Sequence, residues 1–319
     1  MAKTITELQN NRQIRVNKRG ERIRLVKRGI PLYLMMLPGV LFFLIFKYGP
    51  MIGLTVAFID YDPFKGFFQS EWVGLDHFIR LFQERLFLSL LWNTFVLSIY
   101  DILFYFPAPI ILALLLNEIR LRFFRTTIQT ILYTPHFVSW VVIVGITVML
   151  FSTQNGSINN LLVDLGFDRV ELLTDPSYFR PLWVIQNIWN GIGWDAIVYL
   201  AAMSAINPQL YEAARVDGAN RLQMIWHITV PSIMYLVIIM LILRFGGFMD
   251  LSFTHIYLLQ NPLNMSVSDV FDTYVYRAGV IGGQFSYTTA VGLFKSVVAL
   301  IMVMAANTIA KKLGKEGVY

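Results

Sequence analysis

Residues 207–231 read NPQLYEAARVDGANRLQMIWHITVP, from Asn207 to Pro231. Asn207 is a good N-cap, because its side chain accepts a hydrogen bond from a backbone N–H of the first helical turn. Pro208 suits the first helical position, where its missing N–H would lack an intrahelical partner anyway. Leu210, Tyr211, Ala213 and Ala214 continue the helix, and Gly218 supplies a left-handed stop. This spacing predicts a helix over 208–217, about 15 Å long. The small side chains of Ala213 and Ala214 would let a partner's backbone approach closely. A second helical stretch over 221–228 then meets Pro231. A mere joining loop needs only a few residues of any kind, whereas this one is capped and stopped at both ends. On these physics two readings are open: a platform on which another protein docks, or an amphipathic helix lying on a membrane surface.

What lies on either side is apolar. The 319 residues are 56% hydrophobic and 14% charged, well below the roughly 25% charged residues of a soluble domain. A bilayer core about 30 Å thick needs about 20 mainly apolar residues per helix. Six segments qualify: 30–59, 87–116, 128–151, 181–204, 231–251 and 287–310. The first is interrupted by Lys47, Tyr48, Gly49 and Pro50, which reads as one long helix with a kink. The expectation is an all-α membrane protein with a basic N-terminal tail over 1–29, a transmembrane domain over 30–311 and a C-terminal tail over 312–319. The apolar stretch after the tail is too long for a cleavable signal peptide, and no small-residue cleavage site follows it.

Charge sets the orientation. Nine of the 26 Lys and Arg precede residue 29. With the N-terminus inside, the cytoplasmic side also holds Arg120, Arg122, Arg125, Arg215, Arg221, Lys311, Lys312 and Lys315. The outer loops hold Lys65, Arg80, Arg85, Arg169, Arg180 and Arg277. This asymmetry obeys the positive-inside rule and puts both termini, and the 207–231 loop, in the cytoplasm of a multi-pass protein. The net charge of +6 is therefore a topology and lipid signal rather than a nucleic-acid footprint. The outer loops 60–86, 152–180 and 252–286 are too small for domains and read as a lid or a docking surface. There is no cysteine, hence no disulfide or thiolate metal site.

Glu212-Ala213-Ala214, three residues, Gly218, nine residues and Ile228-Thr229-Val230-Pro231 resemble the EAA motif of type I ABC importer permeases. Val230 stands where that family usually has Leu. The segment YGPMIGLTVAFIDYDPF (48–64), followed by Trp72-Val73-Gly74-Leu75, looks like the first-span exit of its sugar permeases, and the likeness runs over nearly the whole chain in the oligosaccharide and polysaccharide branch. The resemblance implies a six-helix permease fold of the bacterial cytoplasmic membrane whose 207–231 loop is a coupling helix held by an ATPase subunit. Glu212, Ala213, Ala214, Asp217 and Gly218 would then carry ATP-driven movement to the spans. It further implies a second related permease chain, two copies of an ABC ATPase that bind ATP and Mg, and an extracellular solute-binding protein. This chain itself would carry no cofactor and would import a sugar by alternating access.

Nothing catalytic is legible. The phosphate-binding G-x-x-x-x-G-K-[ST] loop, H-E-x-x-H and G-x-S-x-G are all absent, and His77, His136, His227 and His255 are scattered. Within the spans, Trp183, Gln186, Asn187, Asn190 and Trp194 recur at helical spacing, with Asp195 and Tyr199 nearby. Such a face suits the hydroxyls and flat ring faces of an oligosaccharide, or else bonds neighbouring helices. Asp101, Arg244 and Lys295 are ionisable at membrane depth and are candidates for the pathway. An Asp101–Arg244 pair is the plainer alternative; if Arg244 and Lys295 both face a cavity, a uronate becomes a candidate cargo. Because the EAA motif is common to peptide, amino-acid and polyamine importers, only the first-span likeness and the aromatic fourth span favour sugar. An ATP-independent transporter is the remaining alternative.

Overall fold

A computed structural model describes Val26 and residues 29–312. The tails assigned to 1–29 and 312–319 fall outside the described residues apart from Val26, Gly29 and Lys312. The chain divides into two compact units, Met1–Val56 and Ala57–Tyr319.

The first unit holds most of α1 (Gly29–Phe58), a 30-residue helix. Every side chain from Ile30 to Thr55 is exposed, and nearly all are apolar. A helix apolar all round is made for lipid or for another helix. Its expected kink is a π turn at Leu44–Tyr48 followed by a 3-10 stretch at Gly49–Phe58.

The second unit opens with a short antiparallel pair, β1 (Ile59–Asp60) and β2 (Glu71–Trp72). Then come α2 (Asp76–Gln83), α3 (Phe87–Asn117), α4 (Arg122–Tyr133), α5 (Trp140–Phe151), α6 (Ser157–Asp164) and α7 (Pro176–Ser204). They are followed by α8 (Pro208–Val216), α9 (Arg221–Gly246), α10 (Phe253–Leu259), α11 (Met265–Ser268), α12 (Phe271–Val275) and α13 (Phe285–Lys312). Among the described residues four helices, α1, α3, α9 and α13, are long and apolar enough to cross a membrane. The pair α4–α5 makes a fifth candidate. The 29-residue α7, more polar than these, spans about 43 Å and occupies the place of the expected fourth span.

Three departures from the sequence expectation have clear causes. The third span is not one continuous helix over 128–151. It bends by 94° between Arg122–Phe137 and Trp140–Phe151. Pro135 has no N–H, Val138 is extended, and Ser139 caps the new helix by accepting from the Val142 N–H at 3.5 Å. Backbone carbonyls at a break in a span must find partners in the protein, and Pro135 O accepts both the Val138 N–H at 3.0 Å and the Asn190 side chain of α7 at 2.8 Å.

The fifth span, expected to begin at Pro231 and run to 251, begins instead at Arg221 and ends at Gly246. A proline inside a helix loses one hydrogen bond and its ring crowds the carbonyl four residues earlier. A π turn at Ile225–Thr229 widens the backbone around that carbonyl, so the helix runs through the proline. The same device recurs at Asp101–Tyr105 before Pro107 and at Leu44–Tyr48 before Pro50.

The 252–286 connection, expected as a lid or docking surface, is largely core: His255, Ile256, Val270 and Phe271 are fully buried. It supplies Phe271 and Tyr274 to a cluster with Leu81, Phe87, Leu90 and Tyr287. A second cluster joins Leu97, Val144, Trp183, Ile256 and Leu259, and a third joins Ala113, Leu116, Ala196, Tyr199 and Ile233.

Candidate coupling loop and translocation cavity

The 207–231 loop is built as its sequence suggests. Asn207 caps α8 by accepting from the Gln209 N–H at 3.0 Å, with Pro208 in the first turn. The helix ends at Val216; Asp217 is its C-cap, and Gly218 takes φ +80°, a conformation that side chains resist. The N–H groups of Asp217 and Ala219 close the end onto Ala213 O (3.0 Å) and Ala214 O (2.9 Å). Asn220 then starts α9 through a reciprocal capping box with Gln223, at 2.9 and 2.7 Å. The N-x-x-Q spacing that signals this box is visible in the sequence.

One contact fixes α8 to the membrane part, and the sequence did not single it out. The Tyr211 hydroxyl lies 2.9 Å from the Thr229 hydroxyl, and Thr229 is buried in the π turn of α9. Glu212, Ala213 and Asp217 are exposed, and Ala214 is half-buried. Glu212 has no hydrogen-bond or ion-pair partner among the described residues. Leu210, Val216, Leu222 and Trp226 of the same two helices are exposed, and a groove of about 280 Å³ is lined by Ala214, Gly218, Met224 and His227. Apolar side chains beside an unpaired carboxylate make a surface suited to another protein.

The intramembrane candidates divide. A cavity of about 400 Å³ is lined by Ser98, Asp101, Trp183, Asn187, Arg244 and Asp250, among others. A neighbouring one of about 270 Å³ shares Arg244 and adds Tyr105, Asp195 and Tyr199. Arg244 grips Asp101 with two N–H donors, each at 2.5 Å. Its guanidinium carbon also lies 4.7 Å from the centre of the Tyr105 ring, whose hydroxyl donates to Asp195 at 2.7 Å. Asn187 donates to Trp183 O at 2.9 Å. Thus Asp101, Asn187, Asp195, Tyr199 and Arg244 gather around two adjoining cavities.

The other candidates are engaged elsewhere. Gln186 donates to Thr147 at 2.8 Å, and its carbonyl lies 2.6 Å from His255 Nε2. Asn190 supports the broken span, and Trp194 stacks on His136 at 4.4 Å. Lys295 binds Asp250 at 2.9 Å and also Asp272. His255 stacks on Trp140 at 3.7 Å with Trp183 near-parallel at 6.2 Å, and burial pushes its imidazole down to about 3. It is therefore neutral, and it donates from Nε2 to the Gln186 carbonyl.

A helical membrane chain with a capped, exposed helix on the loop before its fifth span, and with polar cavities between its helices, has the architecture of a transport permease. Residues 105–315 match the family described as binding-protein-dependent transport system inner membrane component, and the chain belongs to that family. It is 53% identical over 288 residues to the polygalacturonan/rhamnogalacturonan transport system permease protein YteP of Bacillus subtilis (strain 168), covering 90% of each chain. It is 50% identical over 294 residues to protein LplB of the same organism, covering 92% of each. Among solved structures it resembles a bacterial alginate ABC transporter in complex with an alginate pentasaccharide-bound periplasmic protein. That match has a TM-score of 0.84 and 44% identity over 92% of this chain and 98% of the other.

Proposed function

We propose that this permease imports oligosaccharides derived from an acidic polysaccharide, by alternating access driven by a separate ATPase. Support for the cargo comes from the transport of polygalacturonan and rhamnogalacturonan named for a relative 53% identical, and of alginate for a structural neighbour. The uronate argument from free cations does not add to it, because Arg244 and Lys295 are both paired with carboxylates.

The observation that carries the coupling mechanism is the unpaired Glu212 on a capped helix hydrogen-bonded to the foot of α9. Glu212, Ala213, Ala214, Asp217 and Gly218 form the face that two copies of an ATPase subunit would grip, one here and one on a second related permease chain. ATP and Mg belong to that subunit. An external solute-binding protein delivers the sugar, and both termini face the cytoplasm in accord with the loop charges. Asn187, Asp195 and Tyr199 line the path, where amide, carboxylate and phenol groups can bond sugar hydroxyls.

Reconstituting the complete importer tests this. Glu212→Lys reverses the charge met by the ATPase and should abolish uptake of a trigalacturonate while leaving the permease folded and inserted. Normal ATP-dependent uptake by that variant would overturn the coupling assignment. Failure of the wild-type importer to take up any oligosaccharide would overturn the cargo.

A further inference from the structure

The larger cavity has a charge composition at odds with an acidic cargo. Among its lining residues Arg244 is the one cation, set against the carboxylates of Asp101 and Asp250. Arg244 is engaged along one edge and neutralised in charge: Nε and Nη2 donate to the two oxygens of Asp101, and Tyr105 faces the guanidinium. Asp101 is the more buried partner, its side chain 13% exposed against 40% for Arg244. Asp250 is 74% exposed, and its one ion-pair partner, Lys295, is shared with Asp272.

A cargo carboxylate could take the two-pronged Nε/Nη2 edge of Arg244 only by displacing Asp101. That exchange swaps one carboxylate for another and strands Asp101 in a buried position without its partner, which is unfavourable. A two-pronged guanidinium–carboxylate pair is also the strongest common form of such a contact. Hydroxyl groups, in contrast, need no displacement, since the half-buried Asn187 has a side-chain carbonyl without a hydrogen-bond partner among the described residues and the exposed carboxylate of Asp250 lines the same cavity.

From this geometry we infer that Asp101 sets the charge preference of the cavity by masking Arg244. The cavity then binds sugar through its hydroxyls and meets a uronate with a cation already neutralised by Asp101. The inference rests on the oligosaccharide reading above, and it assigns recognition of the cargo's carboxylates to the surfaces of other subunits. Asp101 is thus a specificity-determining residue that acts through Arg244.

The test uses the complete importer in proteoliposomes with two probes of the same length, a trigalacturonate and its fully methyl-esterified form. The quantity read is the ratio of acid to ester uptake, normalised to wild type. Asp101→Asn keeps the shape of the side chain and frees Arg244, and should raise the ratio about tenfold, the value of one added hydrogen bond to a charged group. The double variant Asp101→Asn, Arg244→Gln removes mask and cation together and should return the ratio to within about threefold of wild type. Should the single variant fail to insert, the double variant decides alone. Selective loss of acid uptake in the double variant, or an unchanged ratio in a well-inserted Asp101→Asn, overturns the inference. Absence of uptake of both probes by the wild-type importer would instead sink the oligosaccharide reading.

Discussion

Gly193 of α7 is where the packing of the broken span is decided. A Cβ built there would collide with the backbone carbonyl of Leu132 and the ring of Tyr133, both at the end of α4. Backbone cannot swing aside as a long side chain can. Replacing Gly by Ala inside a helix gains about 1 kcal/mol of intrinsic propensity. Forcing a methyl group into a closed contact costs about 1–3 kcal/mol, and more where the neighbour is rigid. At Gly193 the collision outweighs the propensity, and the helix can relieve it only by withdrawing from α4. Withdrawal would also pull Asn190, three residues away on α7, from its 2.8 Å bond to Pro135 O. Pro135 O keeps the Val138 N–H at 3.0 Å, so losing the Asn190 bond adds only the net worth of one hydrogen bond, about 0.5–1.5 kcal/mol. Gly193→Ala should therefore destabilise the protein by about 0.5–3.5 kcal/mol in sum. Gly145 of α5 is the control: it is helical, exposed, and a Cβ there meets nothing within 4 Å. Gly145→Ala should be neutral or stabilising by up to about 1 kcal/mol. Thermal unfolding of the two purified variants in one detergent checks this. A Gly193→Ala variant melting at or above Gly145→Ala would refute the close-packing account.

Two further outcomes follow from the contacts described. Tyr211→Phe removes the hydroxyl pair that ties α8 to α9, worth about 1 kcal/mol, or about fivefold in the equilibrium that keeps the loop docked. The ATP hydrolysed per sugar imported should rise, and an unchanged ratio would show that the bond carries no force. His255, held neutral by burial with its pKa pushed down to about 3, charges far more readily unfolded than folded. The unfolded state thus binds the extra proton, and stability should fall as pH drops below about 6.5, by at most about 1.4 kcal/mol per pH unit. The melting temperature of wild type should drop more steeply with acid than that of His255→Gln; equal slopes would contradict this.

The coupling loop was legible because its signals are local. Asn207, Pro208 and Gly218 act on the backbone next to them, and the structure puts the cap, the first turn and the positive φ where those residues stand. The apolar spans were legible for the same reason, since hydropathy needs no knowledge of neighbours. The polar face of α7 was not. Periodicity groups Gln186, Asn187 and Asn190 together, but side chains about 40–100° apart around a helix and on successive turns meet different neighbours. Gln186 meets Thr147 and His255, Asn190 meets the break at Pro135, and only Asn187 reaches a cavity. The partner in each case comes from a distant part of the chain, and no spacing rule reports it. The continuity of α9 through Pro231 was hidden for a different reason: a proline reads as a boundary, and the π turn that absorbs it has no sequence signature of its own.

That π turn bears on how a push on the loop would reach the cavity. Thr229, the residue that holds Tyr211, is its last position, and Arg244 lies fifteen residues further along the same uninterrupted helix. At 1.5 Å per residue the two points are about 22 Å apart. If α8 is the handle proposed above, one continuous helix, passing through Pro231, carries its displacement from the loop to the Asp101–Arg244 pair. The partner in that pair, Asp101, is the first residue of another π turn, in α3. A wide turn has weaker hydrogen-bond geometry than the α-helix around it and yields first under load. Movement of α9 would thus be taken up at Asp101–Tyr105, where Asp101 holds Arg244 and Tyr105 holds Asp195, rather than spread along α3. The residues that line the cavity are the ones seated on the part of α3 most able to give.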